Sequence, residues 1–291
     1  MTGILIIDKP QGWTSHDVIA KLRGLLCIRR IGHSGTLDPM ATGVLAVFVG
    51  RATRAVEFAE RDDKEYVAGI RFGLSTDTQD IWGNVTQRCD ATVSRDILLT
   101  LLPHYTGELQ QIPPMYSAVK KDGKRLYELA RKGINVERKS RRIRIHELEL
   151  LEFTRDRCLL RIVCSKGTYI RTLCHDIGEE LGTGAVMDSL RRTKSGIFTL
   201  DRAVSLSEIE QATDRTQFLK PLDSLFKGLP FLELPSHLEV KHRNGQKLTM
   251  SSKPGRYRVY SQSDKSLLSI SQIAEHNGVL TLELIKSFYS N

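Results

Sequence analysis

Apolar positions in the first thirty residues follow two different spacings. Residues 4–7 form a continuous apolar run that Pro10 and Gly12 end, which predicts a short buried strand. Thr14 and Asp17 then have the spacing of a helix-capping box. After this pair, apolar residues recur at the spacing of a helix that buries one face: Val18, Ile19, Leu22, Leu25 and Leu26.

The rest of the chain mixes strand-like and helix-like segments without regular alternation. Residues 29–43 have no periodicity and predict a shaped loop, and residues 75–83 predict a polar turn. Apolar runs or alternating apolar positions predict strands at 44–49, 65–72, 142–153 and 159–164. Helices are predicted from Ser94 to Leu102, over the basic segment 124–132 after an Asp-Gly turn, over the apolar stripe 170–181, and from Ser207 with Glu210.

Short strand-like segments set between Gly, Pro, Ser and Asn predict a small β-rich module after about residue 228. These segments are 231–234, 257–260 and 279–285. Strands and helices do not alternate regularly, and no glycine-rich phosphate-binding motif is present. The pattern therefore favours an α+β fold over a doubly wound nucleotide-binding fold.

Composition is that of an ordinary globular protein. Hydrophobic residues make up 40% of the 291 residues and charged residues 26%, which allows a sizeable buried core. The longest apolar run, 44–49, is far shorter than the roughly 20 residues that span a bilayer, and the N-terminus lacks the pattern of a signal peptide. We therefore expect a cytoplasmic protein without a membrane partner. Five cysteines without a Cys-x-x-Cys pair argue against a disulfide framework and a cysteine-rich zinc site.

Positive charge is concentrated in one segment. Lys and Arg number 43 against 34 Asp and Glu, and the formal net charge is +9. Residues 120–144 alone contain eleven basic and three acidic residues. An excess of this size favours a polyanionic partner such as a nucleic acid, and a merely solvated basic face is the alternative.

Residues 32–43 are the best candidate for a functional loop. They are rich in glycine, and Asp38 precedes a proline, which presents the carboxylate on an extended or turn backbone. An ordinary turn with a structural His33 is the alternative on local sequence alone. A divalent-metal site made by His33, Asp77 and Asp80 is another, although the sequence has no second acidic cluster to complete it.

Seven motifs, spread in order over roughly residues 3–200, resemble those of one enzyme family. They are DKPQGWTS (8–15), GHSGTLDPMATG (32–43), KEY with TDTQD (64–66 and 76–80), PPMYSA (113–118), GKRLYELAR (123–131), SKGTYIR (165–171) and LRRT (190–193). On these motifs the chain resembles the TruB family of tRNA pseudouridine synthases. The resemblance implies a mixed, largely antiparallel central sheet flanked by helices, followed by a small PUA-like RNA-binding module.

The activity implied by the resemblance is isomerisation of the uridine at position 55 in the tRNA T-loop, without a cofactor or metal. The uracil leaves ribose C1′, turns within the pocket and rejoins through C5, after the nucleotide has been flipped out of the RNA. Asp38 matches the family's catalytic aspartate, which attacks C1′ or assists formation of a glycal. Arg171 matches its basic partner, and Tyr66 matches the tyrosine that stacks on the base and takes part in proton transfer near C5.

The same resemblance implies which residues bind the substrate. His33 is expected to meet the reorganised T-loop, while Tyr66, Tyr169 and Leu190 contact or pack against the base. Lys9 is expected to support the site rather than to react.

The implied organisation is a catalytic domain over residues 1–228, with a tRNA-clasping insertion at about 85–135, and a PUA-like module over 229–291. The protein is expected to bind the tRNA T stem-loop as a monomer and without a guide RNA. Two alternatives stay open, of which the first uses the same RNA-binding groove. One is an RNA-binding chaperone that folds tRNA without chemistry, and the other is a guide-RNA-dependent synthase within a larger particle.

Overall fold

The structure is a computed structural model that describes residues 1–90 and 92–289. Its strands are β1 Gly3–Lys9, β2 Ile31–Ser34, β3 Thr42–Val49, β4 Lys64–Phe72, β5 Leu74–Thr76, β6 Val85–Arg88, β7 Gly107–Gln111, β8 Lys120–Lys121, β9 Lys124–Arg125, β10 Arg141–Phe153, β11 Arg157–Cys164, β12 Ala185–Ser195, β13 Phe198–Thr199, β14 Phe231–Leu234, β15 Leu248–Thr249, β16 Gly255–Ser261, β17 Leu267–His276 and β18 Val279–Ser287. Its α-helices are α1 Ser15–Leu26, α2 Val56–Ala59, α3 Arg95–Leu101, α4 Leu126–Ala130, α5 Ile170–Glu180, α6 Leu206–Gln211 and α7 Ser236–Arg243. Short 3-10 helices lie at Gly50–Ala55, Leu102–Tyr105, Leu200–Arg202, Arg215–Phe218 and Leu222–Phe226.

The central sheet has the strand order β1-β3-β12-β4-β11-β10-β7, with β2 added to β3 and β13 to β12. Its neighbours run antiparallel except β3 and β12, which pair in parallel. The apolar stripe of α1 packs on β1 and β3, and that of α5 packs on β4, β11 and β12. This arrangement confirms the predicted α+β class and places β12 in the middle of the sheet.

A second sheet near the C-terminus has the order β14-β16-β17-β18-β15 and encloses its own apolar core. It confirms the predicted β-rich module. Strand β17 was not predicted, although it pairs with both β16 and β18. The boundary of the module at residue 229 stays a prediction, and residues 290 and 291 of that segment lie outside the described residues, as does residue 91 of the expected insertion.

Several local predictions are confirmed and others are wrong. Thr14 and Asp17 form the predicted capping box at the start of α1. The predicted loop 29–43 contains a strand, β2, because its residues complete the edge of β3. The predicted basic helix 124–132 is a two-residue hairpin strand followed by the short α4, and α6 is capped by Ser205 rather than Ser207. At 124–132, the first two residues after the Asp-Gly turn pair with β8 as strand β9, and the helix begins only at Leu126.

Gly43→Ala is expected to destabilise the protein more than Gly107→Ala. Both glycines have nearly the same backbone angle, with φ of +99° and +100°, so both substitutions incur left-handed strain of about 1–2 kcal/mol. An added Cβ at Gly43 would lie 2.2 Å from the carbonyl oxygen of Arg192, whereas Gly107 has open space. We expect a total loss of about 2–5 kcal/mol in the free energy of unfolding for Gly43→Ala. Urea denaturation measures the difference, and equal losses would contradict the close approach of β3 and β12.

Candidate active site

The loop that carries Asp38 is fixed through its backbone. The Ser15 hydroxyl accepts from the Leu37 N–H at 2.9 Å and donates to the Leu37 carbonyl at 3.1 Å. The Gly12 N–H donates to the Pro39 carbonyl at 2.8 Å. The Asp38 side chain is 39% exposed. The carboxylate is therefore open to solvent while the backbone on both sides of it is held.

Arg171, in the first turn of α5, is a buried arginine with four partners. Its Nε forms an ion pair with Asp38 Oδ2 at 3.0 Å. Its Nη1 donates to the Thr78 carbonyl at 3.1 Å and lies 3.4 Å from Asp80 Oδ2, and its Nη2 donates to the Tyr116 carbonyl at 2.9 Å. One guanidinium therefore orients Asp38 and joins three segments that are far apart in the chain.

Asp80 is a second, buried carboxylate on Arg171. Its Oδ1 accepts from the Thr78 hydroxyl at 2.9 Å and from the Trp82 N–H at 3.1 Å. Burial raises the pKa of Asp80, while the bond from Thr78 and the charge of Arg171 oppose the increase. From the sequence, Asp80 is predicted only as an alternative metal ligand. Its position behind Arg171 has no local sequence signal, because it depends on α5 packing against the 76–84 turn.

The predicted metal alternative is not assembled by the fold. The carboxylate of Asp77 accepts from the N–H and the side-chain amide of Asn84, at 2.8 and 3.0 Å, instead of joining Asp80. Within residues 1–90 and 92–289, no group of three or more His, Cys, Asp or Glu side chains is placed to hold a metal ion.

Tyr66 and Leu190 lie on neighbouring strands of the central sheet, two register positions apart. Tyr66 is on β4 and Leu190 on β12, and both are buried in the same apolar cluster as Leu37 and Met40. Burial raises the pKa of the Tyr66 phenol, and the nearby Arg192 charge opposes the increase. The phenol is therefore protonated at neutral pH and presents a flat apolar face with an O–H donor.

Arg192 is a residue of this site that the sequence does not reveal. It is 1% exposed and lies opposite Tyr66 in the register of β12 and β4. Its Nε donates to the Val44 carbonyl at 2.7 Å and its Nη2 to the Gly35 carbonyl at 3.0 Å. It therefore ties the glycine-rich loop to the sheet. It lies within the LRRT motif between the basic residues Arg191 and Lys194, and charged residues are mostly exposed. Its burial and its bonds are therefore known only from the structure.

His33 lies on β2 at the edge of the same loop. Its ring meets the ring of His16 edge-on, with centroids 5.7 Å apart. Burial lowers the pKa of His33 to about 4, and the neighbouring His16 and Arg192 add to the effect. The imidazole is therefore neutral at pH 7 and suited to hydrogen bonding or stacking with a nucleotide rather than to an ionic contact with phosphate.

Lys9 supports the loop from below. It is fully buried, and its ammonium donates to the carbonyls of Pro10 and Trp13 at 2.8 and 2.6 Å and lies 3.5 Å from that of Pro39. Burial lowers the pKa of Lys9 to about 8, against an opposing effect of Asp38. Its bonds attach the end of β1 to the residue after Asp38.

Tyr169 immediately precedes α5, and its position is set by Gln111. The Gln111 amide donates to the Tyr169 carbonyl at 3.0 Å and accepts from the Tyr169 N–H at 2.8 Å. Burial raises the pKa of the Tyr169 phenol. Gln111 is buried at the end of β7 and has no signal in the sequence, because its partner lies 58 residues further on.

The structure thus brings Asp38 and Arg171 into direct contact and packs Tyr66 and Leu190 under the same loop. A solvent-accessible carboxylate held by a buried guanidinium can serve as a nucleophile or as a general base. This combination of fold and site is suited to an enzyme that uses a positioned, solvent-accessible carboxylate.

Comparison with protein families identifies which enzymes share this arrangement. Residues 23–170 match the N-terminal domain of the TruB family of pseudouridylate synthases. Residues 171–227 match the C-terminal domain described for tRNA pseudouridylate synthase B. The chain therefore belongs to the TruB family of pseudouridylate synthases. It is a tRNA pseudouridine synthase, an isomerase, as the sequence motifs indicate.

Curated relatives agree with this assignment over the whole chain. The tRNA pseudouridine synthase B of Syntrophomonas wolfei is 45% identical over 299 residues, covering 100% of both chains. The protein of the same name from Azoarcus sp. strain BH72 is 47% identical over 80% of this chain and 78% of its own length. That from Pseudomonas putida strain F1 is 42% identical over 99% and 96%.

Solved structures share the fold at lower sequence identity. One chain of a Cbf5-Nop10-Gar1 complex superposes with a TM-score of 0.73 at 26% identity, covering 99% of this chain and 85% of that one. A chain of an H/ACA RNP bound to a substrate RNA containing 2′-deoxyuridine gives a TM-score of 0.71 at 24% identity, with coverage of 99% and 85%. Within the described residues, no helix is long and apolar enough to cross a membrane.

Proposed function

We propose that this protein isomerises the uridine at position 55 of the tRNA T-loop to pseudouridine, with Asp38 as the reacting carboxylate. The contact between Asp38 and the buried Arg171 is the observation that carries the proposal. It holds a solvent-open carboxylate in one orientation, as a sugar-directed nucleophile requires. The names of the curated relatives and of the C-terminal family model support tRNA as the substrate.

The reaction is balanced within the nucleotide. The bond from uracil N1 to ribose C1′ breaks, and Asp38 either attacks C1′ to form an ester or removes a ribose proton to give a glycal. The uracil then turns within the pocket and C5 bonds to C1′. In the first route C5 displaces the Asp38 carboxylate from C1′, and in the second Asp38 returns the proton to the ribose as the new bond forms. The proton on C5 is lost while N1 gains one, and Asp38 is again a free carboxylate. Because product and substrate have the same composition, no cofactor or metal is part of the proposal.

Each remaining site residue has a distinct proposed role. Arg171 holds the carboxylate, and Tyr66 offers its face to the base and its phenol near C5. Tyr169 and Leu190 form further parts of the base pocket, and neutral His33 meets the T-loop at the rim. The uridine reaches them only after it is flipped out of the loop, at a cost of roughly a few kcal/mol.

Basic residues at 120–144 are the proposed contact surface for tRNA phosphates. Nine of the eleven are exposed and the other two are half-buried. The segment is attached to the site, because the Tyr116 carbonyl bonds to Arg171 while the Ser117 carbonyl accepts from the Tyr127 N–H. Phosphates bound here would therefore set the position of the tRNA relative to Asp38.

Affinity for tRNA is expected to fall steeply between about 50 and 200 mM salt, since each neutralised phosphate releases counterions. A Lys120→Ala/Lys124→Ala variant is expected to reduce the slope of log affinity against log salt by about 1–2, since one or two phosphate contacts are lost. Filter binding at several salt concentrations measures it. Lys227→Ala, an exposed lysine outside the cluster, serves as the control. A flat salt response, or equal slopes for the two variants, would contradict the phosphate role.

The proposed organisation follows the sequence prediction. Residues 1–228 form the catalytic domain with a tRNA-clasping insertion at about 85–135, and residues 229–291 form the PUA-like module. The protein acts in the cytoplasm as a monomer on the tRNA T stem-loop, without a guide RNA. Full-length similarity to tRNA pseudouridine synthase B proteins at 42–45% identity supports this over the guide-dependent alternative.

The direct test is tritium release from an unmodified tRNA transcript labelled at uridine C5, with purified protein and excess chelator. We expect release that reaches one tritium per tRNA at the target uridine. A transcript with cytidine at position 55 is expected to show no release in excess of background. Tight binding of tRNA without release would contradict the proposal and favour the chaperone or the guide-dependent alternative.

A further inference from the structure

Trp82 is a large aromatic side chain exposed beside the proposed active site. It is 56% exposed and follows Asp80 by two residues. Tryptophan is highly buried on average, but single exposed apolar residues are common and need no special explanation. The exposure of Trp82 becomes informative because its backbone is held rigidly.

The turn that presents Trp82 is fixed on both sides of the residue. The Ile81 N–H donates to the Met187 carbonyl on β12 at 3.0 Å, and the Gly83 N–H donates to the Asp80 carbonyl at 3.2 Å. The Trp82 N–H itself donates to Asp80 Oδ1 at 3.1 Å. The backbone that carries the indole is therefore held by hydrogen bonds and loses little conformational freedom when a ligand binds.

The same contacts connect this turn to the reacting carboxylate. Asp80 accepts from the Trp82 N–H through one oxygen and faces Arg171 with the other, and Arg171 pairs with Asp38. Arg171 also bonds to the Tyr116 carbonyl, from which the chain leads into the basic cluster 120–144. The Arg171 guanidinium thus contacts both the turn that carries Trp82, through Asp80, and the start of the proposed phosphate-binding segment, through Tyr116.

We propose that the Trp82 indole is a stacking platform for an unpaired base of the substrate RNA, next to the nucleotide that is isomerised. This inference rests on the proposed function. Extrusion of a uridine from a loop leaves neighbouring bases without a stacking partner, and an exposed indole offers a flat π-face of matching size. Such stacking tolerates any base, so Trp82 contributes affinity and register rather than sequence selection.

Intrinsic fluorescence tests the stacking directly, because the chain has two tryptophans, Trp13 and Trp82. A Trp13→Phe variant leaves Trp82 as the emitter, and a Trp82→Phe variant leaves Trp13. Both are made with Asp38→Asn so that bound tRNA is not converted. We expect saturating unmodified tRNA to quench Trp82 and to shield it from acrylamide. The emission of Trp13 is expected to change little.

Binding measurements give the size of the effect. Trp82→Ala is expected to weaken tRNA binding by about 5- to 150-fold, the range found for loss of one base–aromatic stack. Trp82→Phe is expected to keep part of this affinity because it retains a π-face. Ile197→Ala, which shortens another exposed apolar side chain, is the control and is expected to bind as the wild type does.

The outcomes separate this inference from the proposed function. Unchanged Trp82 emission at saturating tRNA overturns the stacking platform, and so does wild-type affinity in Trp82→Ala, whether or not the wild-type enzyme isomerises uridine. Quenched and shielded Trp82 emission together with weaker binding by Trp82→Ala supports the platform. If the wild-type protein then releases no tritium, the proposed function alone has failed.

Discussion

Asp38→Asn abolishes isomerisation in our expectation, with a loss of at least about 10⁴-fold in the single-turnover rate, the scale seen when a nucleophile is removed. The amide has nearly the same shape, and the backbone bonds that hold the loop do not involve the Asp38 side chain, so the loop keeps its position. It can neither form an ester with C1′ nor remove a ribose proton, and both proposed routes are therefore blocked. Tritium release from C5-labelled tRNA measures the loss.

Binding separates a chemical role for Asp38 from a structural one. We expect the affinity of Asp38→Asn for tRNA to stay within a few-fold of wild type, because the phosphate-binding cluster is unaffected. Asp201→Asn, at an exposed carboxylate outside the site, is the matched control and should retain full activity. Release by Asp38→Asn would mean that another group reacts with C1′. Full rescue of cellular function by an inactive Asp38→Asn protein would favour the tRNA-folding chaperone.

Arg171→Lys is expected to lower kcat by roughly 10²–10³-fold and to destabilise the fold by about 3–5 kcal/mol. A lysine ammonium can pair with one carboxylate, but it cannot direct donors at Asp38, Asp80 and two carbonyls at once. The misplaced Asp38 carboxylate then reacts poorly. Steady-state kinetics and urea denaturation measure the two effects.

Arg171→Lys is also expected to change the pH at which Asp80 becomes protonated. Arg171 opposes the burial that raises the pKa of Asp80. Where the lysine of Arg171→Lys pairs with Asp38 and not with Asp80, that pKa therefore rises further and Asp80 becomes protonated at higher pH. The matched control is Arg161→Lys, at a half-buried arginine outside the site that pairs with Glu65 and with the exposed carboxylates Glu147 and Glu149. Surface pairs contribute about 0–1 kcal/mol, so this control should stay active and stable. An unchanged kcat in Arg171→Lys would contradict the proposed role of the guanidinium.

Elements with their own local signals were predictable from the sequence. The capping box at Thr14 and the apolar runs of β1 and β3 appear in the structure where the pattern indicates. The Asp38 loop was the best candidate on local chemistry, and the family motifs connected it to Arg171 and Tyr66. Each of these residues lies in a short motif that is continuous in the sequence, so neighbouring residues alone are enough to recognise it.

Residues defined by long-range contacts were not predictable in this way. Arg192 is buried because it bonds to carbonyls 148 and 157 residues earlier, and its charged neighbours on β12 indicate an exposed segment. Gln111 and Asp80 become parts of the site only when α5 packs beside them. The predicted helix 124–132 failed for a related reason, because strand pairing at the preceding hairpin overrides the helical preference of its basic residues.

The central position of β12 has a consequence for synthesis of the protein on the ribosome. This strand begins only at Ala185, yet it separates β3 from β4 in the finished sheet. Until it emerges, the nascent chain exposes the edge of β4 along its whole length, and such an edge invites pairing with other chains. The enzyme therefore depends on late closure of its sheet, and the interval before that closure is when nascent chains most need protection from aggregation.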